Sequence, residues 1–529
     1  MTKQDLERKV NALEATNQSL SDENKRLREK LERMNELLLN AQRAQFGQSS
    51  EKRKFILPDA EQLRIFNEAE RFQDAKAEEP TEKTFTVSAH ERKAKRTADE
   101  LLKDLPVKEV LYEIPEKDRI CGECGAALKM IGKKFIRREL EIIPRQVNAV
   151  EYYIATYACE ECEKKTGYAG IYSMEAPVPL IKHSLASPSS VANVMAMKYV
   201  DGIPLYRQEQ IWKRDGVELK RATLANWMIQ TSQAWLKPLY RRLKAHLLAQ
   251  SVIHADETVV QVLKEAGKSP TSESRMWVYA SGRFEDEQIR YFEYQPDRSG
   301  KHPAALLKDY SGCLVTDGYA GYDKVEKAVR CGCWAHMRRK WREAMPKGAT
   351  TATSKAAIGY EYCNKLFALE RKFEGYTLVQ RKAGRQAYAE PVLDAYWEWV
   401  EKQDPMPGSK LEDAVKYAKN QKRYLNEYIK HEDVEISNNT AENAIRPFVV
   451  GRKNWLFCDT VKGAESSAII YSLVETAKAN ELDPYRYLLT LLDEIRFIGK
   501  NPENAVLDMF LPWSRRMQTA ASVWKSHKE

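Results

Sequence analysis

Residues 251–263 read SVIHADETVVQVL, a β-branched apolar run with two consecutive carboxylates, Asp256 and Glu257, at its centre. The alternation and the Val/Ile/Thr content predict a strand buried on at least one face. A carboxylate in such a strand is costly unless a proton, an opposite charge or a metal neutralises it. By the two-residue period of a strand, Asp256 shares its face with His254, and Glu257 points to the other side. Asp256 is therefore the first candidate for chemistry and Glu257 the lesser one. For His254 a structural hydrogen bond is the expected role.

The segments that follow supply a setting. SRMWVYASG and QIRYFEYQP read as two further strands in hairpin order, HPAALLKDY as a short helix, and GCLVTDGYAGYD as a fourth strand ending near Asp317. Three strands in sequence, a helix and a fourth strand is the order that opens an RNase H-like sheet, with the first strand central and beside the fourth. That layout brings Asp256 and Asp317 together from neighbouring strands. A stretch of 124 residues (318–441) then separates Asp317 from Glu442, far too long for a loop, and its helical texture predicts an independently packed helical insertion. Glu442 follows Asn439 by three residues in NNTAEN, so it reads either as half of a helix-capping box or as a functional carboxylate. Pro447, further on, is expected to kink or end that helix. CGCWAHMRRKW offers Cys331, Cys333 and His336, read as buried packing rather than a metal site because only three donors are local.

Upstream, residues 6–38 carry heptads, with Leu6, Leu13, Leu20, Leu27 and Met34 in one seam position and Val10, Asn17, Asn24, Leu31 and Leu38 in the other. Such a seam predicts a coiled coil, and Asn in it favours a parallel dimer. A polar stretch to about residue 105 reads as a linker. Cys121, Cys124, Cys159 and Cys162 form two CxxC pairs, the spacing of a structural zinc ribbon. The nine cysteines are an odd number, and this spacing speaks for metal or free thiols in a reducing compartment rather than a disulfide framework. Between 185 and 245 two amphipathic runs flank Gly216, a helix-turn-helix-like pattern with Arg207, Lys213, Arg214, Lys220 and Arg221 available for phosphate or groove contacts. The net charge of +9 permits a polyanionic partner without requiring one. With 43% hydrophobic and 30% charged residues, and no apolar run long enough to span a bilayer, the expectation is a cytoplasmic protein with no membrane association.

HADET, TDGYAGYD, CWAHMRRKW and NNTAENAIRPFVVGRKNWLF, together with the zipper-like start, FGQSSEK, the CxxC pairs and PLYRQEQI, resemble the motifs of the insertion sequence 66 family of bacterial DDE transposases. The resemblance covers nearly the whole chain. It implies an acidic triad of Asp256, Asp317 and Glu442 that binds two Mg²⁺ (or Mn²⁺) ions, and Mg-dependent 3′-end cleavage with strand transfer into target DNA. It also implies transposon-end DNA as the partner of the helical insertion, a homodimer or higher synaptic assembly, and accessory proteins of the same element. Arg338, Arg339, Lys340, Arg446, Arg452, Lys453 and the stackable Trp455 are the further DNA-contact candidates, and Zn²⁺ in the four cysteines is structural. A regulator that binds element ends without cutting, and a nuclease of the same fold without joining activity, are the alternatives.

The chain thus reads as a multidomain α+β protein. Its expected parts are a coiled-coil segment (1–45), a linker (46–105), a zinc ribbon (106–170), a helical DNA-binding region (171–248), an RNase H-like core in two parts (249–345 and 436–500) around a helical insertion (346–435), and a C-terminal tail (501–529).

Overall fold

In the structure, a computed structural model, the run beginning at Val252 forms the central strand of a six-stranded sheet. Strand β3 (Val252–Lys264) pairs antiparallel with β4 (Glu273–Ser281), which pairs antiparallel with β5 (Arg290–Gln295). On its other side β3 is parallel to β6 (Cys313–Thr316), and β6 to β7 (Val329–Gly332). The order is thus β5-β4-β3-β6-β7, with the short β8 (Cys458–Thr460) added beside the far end of β3. The expected neighbour relation holds: the first strand is central and the fourth lies next to it. A hairpin of β1 (Thr156–Cys159) and β2 (Gly170–Ser173) stands before this sheet in sequence.

The structure describes residues 178–522 apart from 347, 500 and 501. Before residue 178 it describes 13–23, 111–119, 126–135, 145–159, 170–176 and scattered single positions. Residues 13–23 are helical and exposed, Leu13, Asn17 and Leu20 among them; most of the expected heptad seam lies outside the described residues. So do Cys121, Cys124 and Cys162. Two compact units are distinguished, one containing 154–522 and the other the described part of 107–153. The second holds a single helical turn, Glu116–Asp118, closed by Arg119 Nε donating to the Ile114 carbonyl at 2.7 Å.

Helices cover both faces of the sheet. Ahead of it run α1 (Pro188–Tyr199), α2 (Leu205–Arg214), α3 (Arg221–Thr231) and α4 (Lys237–Leu248). Short α5 (Lys301–Leu306) connects β5 to β6, and α6 (Trp334–Ala344) leaves β7. Trp334, Met337, Trp341 and Ala344 recur at helical spacing and are buried, so each larger side chain contributes on the order of 2 kcal/mol to holding α6 down. Then come α7 (Lys355–Lys372), α8 (Leu378–Gly384), α9 (Glu390–Glu401), α10 (Lys410–Leu425) and short α11 (Glu427–Lys430). The chain returns through α12 (Asn439–Trp455), β8 and α13 (Val461–Ala479), and ends in α14 (Pro484–Ile495), α15 (Asn504–Asp508) and α16 (Arg515–Ala521).

The helices between α6 and α12 do not pack independently, contrary to the sequence expectation. Their apolar core, with Leu366, Leu393, Tyr396, Trp397 and Val415, is continuous with Trp334 and Trp341 of α6 and with Val252, Cys313, Val315 and Cys331 of the sheet. Ile253 and Leu314, the alternate residues, belong to a separate core on the other side. The reason is the parallel part of the sheet: with both faces apolar, the inserted helices are the cover for one of them. Helix α13 closes the edge strand differently. Ser472 Oγ accepts the Phe292 N–H at 2.8 Å and Thr476 Oγ1 the Arg290 N–H at 3.0 Å, so buried hydroxyls satisfy β5 where no further strand does.

Candidate functional site

Asp256 lies mid-strand in β3, opposite Val278 of β4. On the other side the parallel register runs Val252 to Cys313, Ile253 to Leu314 and His254 to Val315, so two further steps bring Asp256 level with Asp317. The face that carries Asp256 is left open between α6 and α12. The resulting cleft is lined by Asp256, by His336 and Arg339 of α6, and by Glu442, Ile445, Arg446 and Val449 of α12. His336 Nδ1 stands 3.6 Å from Glu442 Oε1 and Arg339 Nη2 3.8 Å from Glu442 Oε2, beyond hydrogen-bond range. Both His336 Nδ1 and Glu442 Oε1 are buried with no hydrogen-bond partner.

Electrostatics mark the same place. Burial, then the negative charges of Glu257, Asp317 and Glu442, push the Asp256 carboxyl up to about 7. Burial lowers the His336 imidazole below its ordinary value, against the pull of Glu442 and Asp317. Glu257 faces the opposite side, its side chain 2% exposed, bound to Arg298 at 2.5 Å and accepting from Tyr322 Oη at 2.8 Å. It is a satisfied buried ion, whereas Asp256 accepts only the Glu257 backbone N–H at 2.9 Å among the described hydrogen bonds.

A second polar cluster fixes the three segments around the cleft. His254 bonds through Nε2 with Glu435 Oε2 at 2.5 Å and through Nδ1 with Asn438 Oδ1 at 3.1 Å. Asn438 Nδ2 donates to the Ala255 carbonyl at 2.8 Å, and its backbone N–H to Cys333 Sγ at 3.2 Å. Thr440 Oγ1 closes on Glu435 Oε1 at 2.7 Å. Burial alone would raise the Glu435 carboxyl, but the charge and hydrogen bond of His254 bring it down to about 2. Asn438 is the residue preceding α12, yet its side chain makes no capping bond, being committed to β3. Asn439, the cap expected from sequence, is already the first residue of α12, so the capping-box reading of Glu442 does not describe this helix start.

Other expectations sort as follows. Pro447 does not end α12, which runs on to Trp455; the carbonyl that Pro447 orphans, that of Asn443, sits on an exposed turn where water can serve it. Cys331 and Cys333 are buried, and burial pushes the Cys333 thiol up to about 11. Cys333 Sγ accepts the Asn438 N–H, and donor atoms of Cys333, His336 and Glu442 lie within 4.8 Å of one another. His336, set aside as packing together with the two cysteines, in fact lines the cleft. Arg339 and Arg446 line it too, while Arg338 stacks on Phe367 at 4.4 Å and Lys340 is half-buried. Arg452 is turned inward, donating to Thr258 Oγ1 at 3.2 Å and to the Val259 carbonyl. Trp455 packs edge-on against Phe448, ring centroids 5.5 Å apart, instead of standing free to stack; Lys453 is exposed. Arg207, Lys213, Arg214, Lys220 and Arg221 are all exposed on α2, α3 and the turn between them.

A model described as the transposase IS66 family matches residues 183–466, more than half of the chain and inclusive of every cleft residue named above. The chain belongs to the IS66 transposase family. Three further models of that family match: a zinc-finger binding domain of transposase IS66 at 118–163, one described as transposase C of IS166 homeodomain at 33–110, and the IS66 C-terminal element at 472–513. The homeodomain match runs through the segment read from sequence as a linker. Among curated relatives, three Sinorhizobium fredii proteins, each described as uncharacterized, are similar to this IS66 chain. For y4hP the identity is 27% over 505 residues, covering 90% of this chain and 87% of that protein. The corresponding figures are 28% over 439 residues, 80% and 82%, for y4jD, and 27% over 503 residues, 92% and 89%, for y4qI. A chain of the Drosophila P element transposase strand transfer complex aligns with TM-score 0.32 and 11% identity, over 58% of this chain and 94% of that one. The zinc-finger match contains Cys121, Cys124, Cys159 and Cys162 of this IS66 chain, whose domain of that name supports a structural Zn²⁺. Among the described residues no helix is long and apolar enough to cross a membrane.

Proposed function

We propose that this IS66-family chain is a DDE transposase in the full sense: an RNase H-like core whose Asp256, Asp317 and Glu442 hold two Mg²⁺ or Mn²⁺ ions for cleavage at the 3′ ends of an insertion sequence and for joining those ends to target DNA. The observation that carries this reading is a cleft lined by Asp256 of β3 and Glu442 of α12, with Asp317 at the end of β6 level with Asp256 and close enough to repel it, so that burial and neighbouring carboxylates push Asp256 up to about 7. The donors fit hard divalent cations: they are carboxylate oxygens, and Glu442 Oε1 is buried without a protein partner. When bound, such ions neutralise the phosphoryl oxygens, activate the attacking oxygen and stabilise the leaving one.

The chain's own residues do the rest. Asp256 carries a proton on its carboxyl part of the time at neutral pH and must release it to serve as a ligand. Arg339 and Arg446, on facing helices, hold the phosphates on either side of the scissile bond. Exposed Arg207, Lys213, Arg214, Lys220 and Arg221 take phosphates further along the duplex. The four cysteines hold one structural Zn²⁺, and the heptads of residues 6–38 pair two copies so that both element ends are engaged together.

The test is Asp256→Asn, which keeps the shape of the strand and removes the ligand charge. End cleavage and strand joining with Mg²⁺ should fall by roughly three orders of magnitude. Affinity for the same ends in a gel shift at fixed salt should stay within about twofold, because it rests on Lys and Arg. Glu257→Gln, on the far face, should keep most activity. Cleavage persisting in Asp256→Asn would sink the assignment.

A further inference from the structure

Helix α12 leaves the cleft and ends in a tip that burial does not explain. Along its exposed face Arg446, Val450 and Lys453 follow one another at helical spacing. The helix stops at Leu456, whose backbone is held at φ 66 and ψ −53, where an L side chain is strained. The Phe457 N–H donates to the Trp455 carbonyl at 2.9 Å, closing the turn. Leu456 is 50% and Phe457 43% exposed. The residues on either side are fixed. Trp455 is packed on Phe448, Asn454 Nδ2 donates to the Gly202 carbonyl at 3.0 Å, and Cys458 is buried and paired with Val262 of β3. Gly451 permits this close seating, since a Cβ there would lie 2.6 Å from Tyr471 Oη. A strained backbone on rigid supports thus holds two large apolar side chains out into water.

The geometry points to Leu456 and Phe457 as a wedge that enters the base stack of the DNA engaged by the cleft, about six base steps from the cleaved phosphate; this rests on the transposase reading above. Leu456 lies fourteen positions after Glu442, about 21 Å of helix at ~1.5 Å per residue, and base pairs follow at ~3.4 Å. DNA is the occupant that suits the surroundings: Arg446 and Lys453 flank the path to the tip, and the Gly202 loop bonded to Asn454 leads into the exposed Tyr206 and Arg207 of α2. Apolar side chains inserted between base steps unstack and kink a duplex, and a preset turn delivers them without loss of loop entropy at binding.

The experiment uses the full chain and duplexes of the element's own terminal sequence, with 2-aminopurine placed singly from about two to about ten base pairs from the cleaved phosphate. Fluorescence should rise on binding at one or two adjacent positions near six. In Leu456→Gly combined with Phe457→Ser it should return to the free-duplex level, with binding weakened roughly tenfold. The double variant itself should melt close to the parent, since Gly tolerates the positive φ at 456 and both side chains are exposed, so a lost signal cannot be put down to unfolding. A chain that cuts its ends while no position brightens overturns the wedge alone. So does brightening that survives the double variant, or a double variant that changes only the mass in solution, which would make the tip a contact between copies. A chain that neither binds nor cuts this duplex overturns the transposase reading, and the wedge with it.

Discussion

Glu435 and Asp256 are both largely buried carboxylates beside the same face of β3, and they are treated in opposite ways. Glu435 is met by His254, Thr440 and the Arg283 N–H, and is brought down to about 2. Asp256, two residues from His254 on the same face of β3, meets other carboxylates and is pushed up to about 7. A fold that can satisfy one acid so completely and leaves its neighbour repelled is holding negative charge in reserve. The satisfied cluster fixes the geometry, tying β3, α6 and the start of α12 together through Asn438 and Cys333. The unsatisfied one is what that geometry presents.

Breaking the satisfied side should have the largest effect. Glu435→Gln leaves buried His254 without its anionic partner and should cost about 3 kcal/mol or more in urea unfolding at pH 7. Because the Glu435 carboxyl lies below its ordinary 4.5 in the fold, the stability it contributes is complete above that pH and is lost as pH falls toward about 2. The gap between parent and variant should therefore close over that window. The unsatisfied side should respond with the reverse sign. Asp256 is raised from 3.8 to about 7, so its ionisation destabilises the fold as pH rises through that range. Asp256→Asn should be more stable than the parent by ~2–4 kcal/mol at pH 8 without metal, and equal to it near pH 4. Adding Mg²⁺ should raise the parent's melting temperature and leave the variant's unmoved. Smaller again, Asn438→Ala removes partners from His254 Nδ1 and the Ala255 carbonyl, costing ~1–3 kcal/mol. Its Mg²⁺ affinity should fall alongside, although Asn438 does not line the cleft; unchanged metal binding would reduce the cluster to mere stabilisation.

The sequence announced Asp256 because a strand period of two makes a misplaced charge visible, and Asp317 because strand order implied its register. Glu442 stood out only through motif resemblance: nothing local distinguishes it from a capping residue, and what removes the capping reading is that α12 begins at Asn439 itself, one residue earlier than that reading needs. His336 and Glu435 were missed for the same reason, since their meaning lies in partners on other segments. The packing of Trp455 on Phe448 was not legible, because aromatic character says nothing about which way a helix end faces. The shared core of the inserted helices could not be read either, as an amphipathic pattern shows that a face is buried and not against what.

The placement of those helices also sets an order in time. Glu442 is the last of the three carboxylates to be synthesised, 124 residues (318–441) after Asp317; at ribosomal rates of ~5–20 residues per second that is a delay of roughly 6–25 seconds. A nascent or prematurely terminated chain ending inside the inserted helices can carry its early DNA-contact candidates and two of the acids, yet lack the third. On the transposase reading proposed above, such incomplete products lack one of the three metal-holding carboxylates, so translation order itself delays the ability to cut until the inserted helices are complete.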